Sequence, residues 1–299
     1  MDMPVDAFLT ALYTIVDDWY QAYAPALLAG KAGDHPEFAD SEVLTLALAQ
    51  HWLGYQHERR FLRFIRRNYL PLFPRLLDQS QFNRRARSLC GLLAEFRRWL
   101  SQQAGADTAD TYLLDGTPID VRHWRRYGPR SLMFPGAAVG HCASKRETFY
   151  GYKLVLLLTA DGRILDFELL PANADERTAL DELLPRYRHL VIFADKGFLD
   201  QERQAELYRR HGHRLYTPKR QNQKEQNPKA WDRACARVRQ RVETAIGQAK
   251  DFFGLEEPGA LTFWGFCSRL IAKLTGLTLA AWVNRQQGRS PLRLADFAF

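Results

Sequence analysis

Five apolar residues in succession, Leu190-Val191-Ile192-Phe193-Ala194, end abruptly at Asp195, and Lys196-Gly197 follows at once. A short, continuously apolar run of this kind reads as a strand buried on both faces. The chain must therefore place structure above and below it. A second run, Tyr112-Leu113-Leu114, ends likewise in Asp115-Gly116. Two carboxylates at strand ends stand on rigid mounts. Brought together without a counter-charge they repel each other, which favours a cation between them. A third acid, Glu243, lies in the helical stretch Arg237-Val238-Arg239-Gln240-Arg241-Val242-Glu243, surrounded by Arg.

The net charge of +8 and the pI near 9.4 set the context for these acids. They point to a polyanionic partner, nucleic acid ahead of membrane. Carboxylates in such a chain suit metal ions held against a phosphate backbone. The first Lys or Arg is Lys31, so the N-terminus lacks the charged start of a signal peptide. The longest wholly aliphatic run, Leu154 to Leu158, is too short to span a bilayer. Cys90, Cys142, Cys235 and Cys267 are scattered, form no Cys-x-x-Cys pair and read as reduced thiols of a cytoplasmic protein.

Residues 1–106 read as a helical domain. Asp40 or Ser41 is positioned to cap a helix through Leu44, Leu48 and Trp52. Another runs from His57 to about Tyr69, and Ser80 starts a long helix with the stripe Phe82, Leu89, Leu93, Phe96 and Leu100. From Arg59 to Arg98 there are eleven Arg and two acids. Short helices, a tight turn and the Arg-rich segment with Arg84, Arg85 and Arg87 resemble a helix-turn-helix DNA reader. A solvated bundle face would look similar, but there the charges alternate in sign rather than share one.

Residues 107–299 read as strands and then α/β units. Strands are expected over Tyr112–Val121, Phe149–Thr159 and Arg163–Leu170, with a hairpin at Ala160-Asp161-Gly162. A helix, the 190–194 strand, a second helix and a short strand follow. Long helices from about Trp231 to Phe253 and from Phe263 to Trp282 complete the chain. A three-strand meander followed by α/β units gives a mixed five-stranded sheet flanked by helices, the plan of the ribonuclease-H-like fold.

In that order of elements, Asp115 and Asp195 stand on neighbouring strands. Two-metal phosphoryl transfer needs converging carboxylates around ions about 3.5–4 Å apart. Hard oxygen ligands favour Mg²⁺, with Mn²⁺ as the alternative. On a helix turning about 100° per residue, Arg239, Glu243 and Lys250 fall within about 40° of one another. The apolar set Val238, Val242, Ala245, Ala249 and Phe252 is centred elsewhere. Taken alone, Glu243 and Arg239 read equally as a helix salt bridge.

Three segments together resemble the DDE transposases of bacterial insertion sequences: Leu114-Asp115-Gly116-Thr117, Ala194-Asp195-Lys196-Gly197-Phe198, and Arg239-x3-Glu243-x6-Lys250. The last is similar to a Tyr-x2-Arg-x3-Glu-x6-Lys signature, with Ala236 in place of the Tyr. Phe149 to Leu154 and Pro171-Ala172-Asn173 resemble the family's second strand and a strand exit. The resemblance spans about residues 75–285. It implies Asp115, Asp195 and Glu243 as catalytic metal ligands and a divalent ion. It also implies cleavage at element ends, joining of a 3′-hydroxyl to target DNA, and a homodimer that pairs the ends. A nuclease of the same fold needs the same acids. A domesticated DNA-binding protein would be expected to lose one.

The basic segment Arg122–Arg146, with Arg125 and Arg126 beside Trp124 and Tyr127, is a further candidate for contact with DNA. So is the loop Lys219–Lys229, with Lys219 and Arg220; a solvated basic loop is the alternative for both. Asp120, Asp166 and Glu168 read as ordinary solvated strand acids, and His141 as a surface or loop histidine. Trp264 and Phe266 read as packing residues of the last helix.

Overall fold

The centre of the molecule is one long strand whose apolar run is buried on both faces. The computed structural model describes residues 3–28, 36–122, 133–142, 146–218, 229–256 and 258–297. The central strand, β3 (Glu147–Thr159), lies between β1 (Tyr112–Arg122), antiparallel on one side, and two strands that share its other edge. β2 (Ala138–Cys142) pairs with its first half and β4 (Ile164–Pro171) with its second. β5 (Val191–Ala194) adds parallel to β1, and β6 (Arg214–Tyr216) parallel to β5. The mixed sheet thus has six strands among the described residues, one more than the apolar pattern suggests. The extra strand is β2, whose short Ala-Val-Gly-His-Cys sequence carries little strand signal. The β3–β4 hairpin turns where expected: Gly162 has φ +91°, a conformation glycine supplies without steric cost.

Side chains alternate along a strand, so the run Leu154–Leu158 divides between two cores. Leu154, Leu156 and Leu158 join the helical side, while Val155 and Leu157 join a second core under α6 (Thr178–Leu183) and α7 (Gln201–His211). The helical side is built from α1 (Val5–Leu27), α2 (Asp40–Trp52), α3 (Glu58–Asn68), α4 (Gln79–Ser88) and α5 (Cys90–Gln103). To these the chain adds its last two long helices, α8 (Lys229–Phe253) and α9 (Phe263–Gln286). α9 packs against α2, α4, α5 and α8. One core therefore runs from the N-terminal helices through α9 to β3, across the change from helix to strand near residue 106. α9 is long and apolar enough to cross a membrane by length and composition, yet 72% of its most apolar window is buried inside the protein.

Local chemistry explains where several elements begin and end. α2 starts from Ala39 rather than a capping Asp40 or Ser41, because the Glu42 carboxylate reaches back to accept from Ala39 N–H at 2.6 Å. Nearly every residue of α2 is buried, which accounts for its weak amphipathic pattern. The single long helix expected from Ser80 is two helices, broken at Leu89 (φ −89°, ψ 4°). Asp78 caps the first, accepting from Gln81 N–H at 2.8 Å.

Asp166 and Glu168 are not the solvated acids that strand alternation suggests. Arg97 on α5, 2% exposed, crosses to β4 and meets Asp166 at 3.4 Å. Arg186 at 3.0 Å, the Tyr187 hydroxyl at 3.0 Å and Phe167 N–H at 2.9 Å also reach Asp166, while Glu168 pairs with Arg186 at 2.9 Å. Burial lowers the pKa of Arg97, and Asp166 opposes that shift. Removing one member of a buried pair strands the other, at about 3–5 kcal/mol. Asp166→Leu is therefore expected to lose about that much stability in a urea titration. The double variant Arg97→Met/Asp166→Leu should recover a large part of it. A loss below about 1 kcal/mol in the single variant would place the pair in the class of weak surface bridges.

Two buried histidines give the fold a pH dependence. His213 Nδ1 accepts from Leu190 N–H at 3.1 Å and Nε2 donates to Leu184 O at 2.9 Å, an arrangement that fits the neutral ring. Burial lowers its pKa, and it lowers that of His51 further, aided by Lys273 and Arg269. With folded values below the unfolded one of about 6.5, the contribution is complete above that pH and is lost as pH falls through the folded values. The melting temperature should hold from pH 8 to 7 and drop progressively from pH 6.5 to 5. A flat profile across that window would exclude both histidines as its source.

Candidate active site

β5 stops at Ala194, paired with Leu114, while β1 continues along β3 to Arg122. The next residue on each chain is an aspartate. Asp115 and Asp195 therefore follow the last paired residues of neighbouring parallel strands, and both line one cleft. Asp115 is thus not at the end of its own strand, as the sequence suggests, but at the point where its neighbour ends. Each carboxylate is oriented locally. Asp115 Oδ1 accepts from Gly116 N–H at 2.9 Å, and Asp195 Oδ1 accepts from Lys196 N–H at 2.6 Å as it caps a short 3-10 turn.

Glu243 comes from α8, which lies against β1, β5, α2 and α9. The helix buries Ala245, Ile246, Ala249 and Phe253, and the expected Phe252 packs half-buried against the same core. Glu243, Gly247 and Lys250 follow one another at helical spacing along the rim of a cleft of about 470 Å³ that Asp115 and Asp195 also line. Lys250 pairs with Glu256 at 2.8 Å. Among the described residues, no three His, Cys, Asp or Glu side chains stand close enough together to hold one ion.

The same cleft is lined by three residues that sequence reasoning did not assign to it. Glu176 lies in the turn before α6, with Lys153 of β3 at 3.7 Å. Lys153 also donates to Ala174 O at 2.9 Å. His141 sits on β2, the strand without a clear signal. Glu176 follows the Pro171-Ala172-Asn173 exit by a few residues, and its acidic neighbour Asp175 gave no reason to separate the two. Asp175 instead pairs with Arg177, whose guanidinium lowers its pKa to about 2.

The proposed DNA-contacting residues divide. On α4, Arg84 is exposed, and Arg87 is half-buried with Nε donating to Asn83 O at 3.3 Å. Arg85 turns inward, donating to Phe38 O and pairing with the Asp40 carboxylate. Residues 69–78 separate α3 from α4, so the tight turn of a helix-turn-helix is absent between these two helices. Arg125, Arg126, Lys219, Arg220 and the side chain of Arg239 lie outside the described residues. Phe266 is buried and stacks on Tyr152 at 5.1 Å between ring centroids, but Trp264 is 63% exposed and does not serve the core as expected.

Residues 105–258, more than half of the chain, match the family model described as a transposase DDE domain. The matched segment contains Asp115, Glu176, Asp195, Glu243 and Lys250. No curated protein and no solved structure matches the chain. With its sheet and cleft carried by the matched segment, the chain belongs to the transposase DDE-domain family, a family of DNA transposases.

Proposed function

We propose that this protein cuts the ends of an insertion sequence and joins the freed 3′-hydroxyl to target DNA, with Asp115, Asp195 and Glu243 as its catalytic acids. The observation that carries the reading is that Asp115 and Asp195 each follow the last paired residue of two adjacent parallel strands, Leu114 and Ala194, and line one cleft with Glu243. The family implies dependence on a divalent metal. The three acids supply hard oxygen donors, which fit Mg²⁺ and, as a substitute, Mn²⁺. Bound divalent ions supply activation of the attacking oxygen and neutralise charge on the leaving one. Because no three such groups among the described residues yet stand around one point, the reading requires the acids to draw together as the metal binds.

The chain's own cations do the remaining work. Lys250 and Arg239 flank Glu243 along α8 and hold the phosphates beside the reacting one, Lys250 leaving Glu256 to do so. This assigns the chain to the Tyr-Arg-Glu-Lys signature class. Ala236, at the Tyr position, is exposed and brings no group to the site. Arg84 and Arg87 on α4 and the segments with Arg125, Arg126, Lys219 and Arg220 bind the element ends. A homodimer holds two ends together, and the reaction takes place on DNA in the bacterial cytoplasm.

Asp195→Asn and Glu243→Gln should each abolish cleavage of a labelled end substrate while leaving DNA binding within about threefold, since affinity comes from Lys and Arg. Full cleavage by either variant would sink the assignment. Cleavage without joining of the 3′-hydroxyl in the parent protein would identify a nuclease instead.

The three arginines of α4 should separate by what they touch. Replacing Arg84 and Arg87 by Ala should flatten the salt dependence of log K by up to about 0.9 per lost phosphate contact. Arg85→Ala should act chiefly on the melting temperature, because its partners Asp40 and Phe38 are in the chain. An unchanged slope in the double variant would remove α4 from the DNA interface.

A further inference from the structure

The cleft holds one acid more than the three already assigned, and its position is specific. A Cβ built on Gly116 would stand 3.4 Å from the Glu176 carboxyl carbon, and one on Gly197 would stand 3.3 Å from its Oε2. The Glu176 carboxylate therefore rests over the backbone of both segments that carry the aspartates, one residue past Asp115 and two past Asp195. Neither glycine has positive φ, so backbone conformation does not demand glycine at either place. A Cβ at Gly116 would meet this carboxylate at ordinary contact distance and one at Gly197 slightly inside it, so the two glycines leave it room.

The charge balance is unusual for a group so placed. Glu176 brings a further negative charge to a cleft lined by Asp115, Asp195 and Glu243. The cation opposite it, Lys153 Nζ, is 3.7 Å away, beyond hydrogen-bond reach, and spends its short contact on Ala174 O. The two side chains are only partly exposed, at 19% and 34%. Gathered carboxylates raise one another's energy unless a cation stands among them.

We propose that Glu176 is a fourth carboxylate of the metal site, held over Gly116 and Gly197 and shared between Lys153 in the metal-free protein and a divalent ion in the loaded one. The inference rests on the reading of Asp115 and Asp195 as metal ligands. Lys153 then acts as a counter-ion to Glu176 before metal arrives. It competes with the ion for Glu176.

The test is Mn²⁺ binding to the full-length protein without DNA, followed by calorimetry and by the Mn²⁺-induced rise in melting temperature. Glu176→Gln should weaken Mn²⁺ by about tenfold, the lower range for groups that tune a metal site, with the metal-free melting temperature unchanged. Lys153→Met should do the reverse, lowering the metal-free melting temperature and enlarging the rise that Mn²⁺ produces. Asp195→Asn serves as the reference. If Asp195→Asn loses Mn²⁺ while Glu176→Gln binds it like the parent, the fourth ligand is excluded and the three-acid site stands. If Asp195→Asn also binds like the parent, both readings fall.

Discussion

The burial of β3 on both faces is the constraint on which the rest of the structure depends. Leu154 through Leu158 are all fully buried, and each face needs its own cover. At about 25 cal/mol per Å² of apolar surface, leaving either side open would forfeit roughly 1.5–3 kcal/mol for each of these side chains. On one face the cover is short and local, α6 and α7 from the α/β units. On the other it is drawn from both ends of the chain, α5 from before the sheet and α9 from after it. That demand is why the N-terminal helices do not stand apart from the segment that carries the sheet. Polar ties between the layers, Arg97 to Asp166 and Ser101 to Ile164 O, cross at the same seam.

The site follows from a mismatch in strand length. β5 has four residues and β1 eleven, and they pair only up to Ala194 and Leu114. Beyond that point β1 has lost one neighbour, and a gap opens beside it at the carboxyl end of β5. The chain fills the rim of that gap with acids. Clustered carboxylates are a cost to folding, and the nearby cations offset it: Lys153 within the sheet and Lys250 on α8. In a chain of net charge +8, four acids thus line one cleft together with Lys153 and Lys250.

Much of this was legible from residues 190–195 and 112–115 alone, because a buried parallel strand has a continuous apolar signature and its acid marks the end. The spacing on α8 likewise led to Glu243 and Lys250, since helical periodicity survives a single sequence. What stayed hidden depends on partners remote in sequence. β2 has no period of its own and exists because the first half of β3 offers an edge. Asp166 looks like a solvent-facing strand acid until Arg97, far earlier in the chain, is placed above it. Arg85 looks like its neighbours Arg84 and Arg87 until Asp40 is brought beneath it. Glu176 has no motif of its own, and only the folded turn sets it over two glycines. Charge patterns reveal sign, but not which of several like charges turn inward.

The way α8 is fastened bears on how the acids could come together. At its C-terminal end the helix is locked. Phe253 is buried against Gly276 of α9, where a Cβ would come within 2.7 Å of the ring. The buried Lys273 ammonium donates to Gly254 O, satisfying a carbonyl at the negative end of the helix. Glu243 is ten residues from Phe253, a lever of about 15 Å at 1.5 Å per residue. Between them the inward contacts are partly made by Ala245 and Ala249, small side chains that interlock little with the sheet. A tilt of about 10° at the anchor would move the Glu243 backbone by roughly 2.6 Å over that lever. Contact of Lys250 with DNA, in place of Glu256, would apply such a bias close to the anchor, about one turn from Phe253. The fixed end of α8 then sets the direction of approach, and the two aspartates, held by the sheet, supply the stationary half of the site.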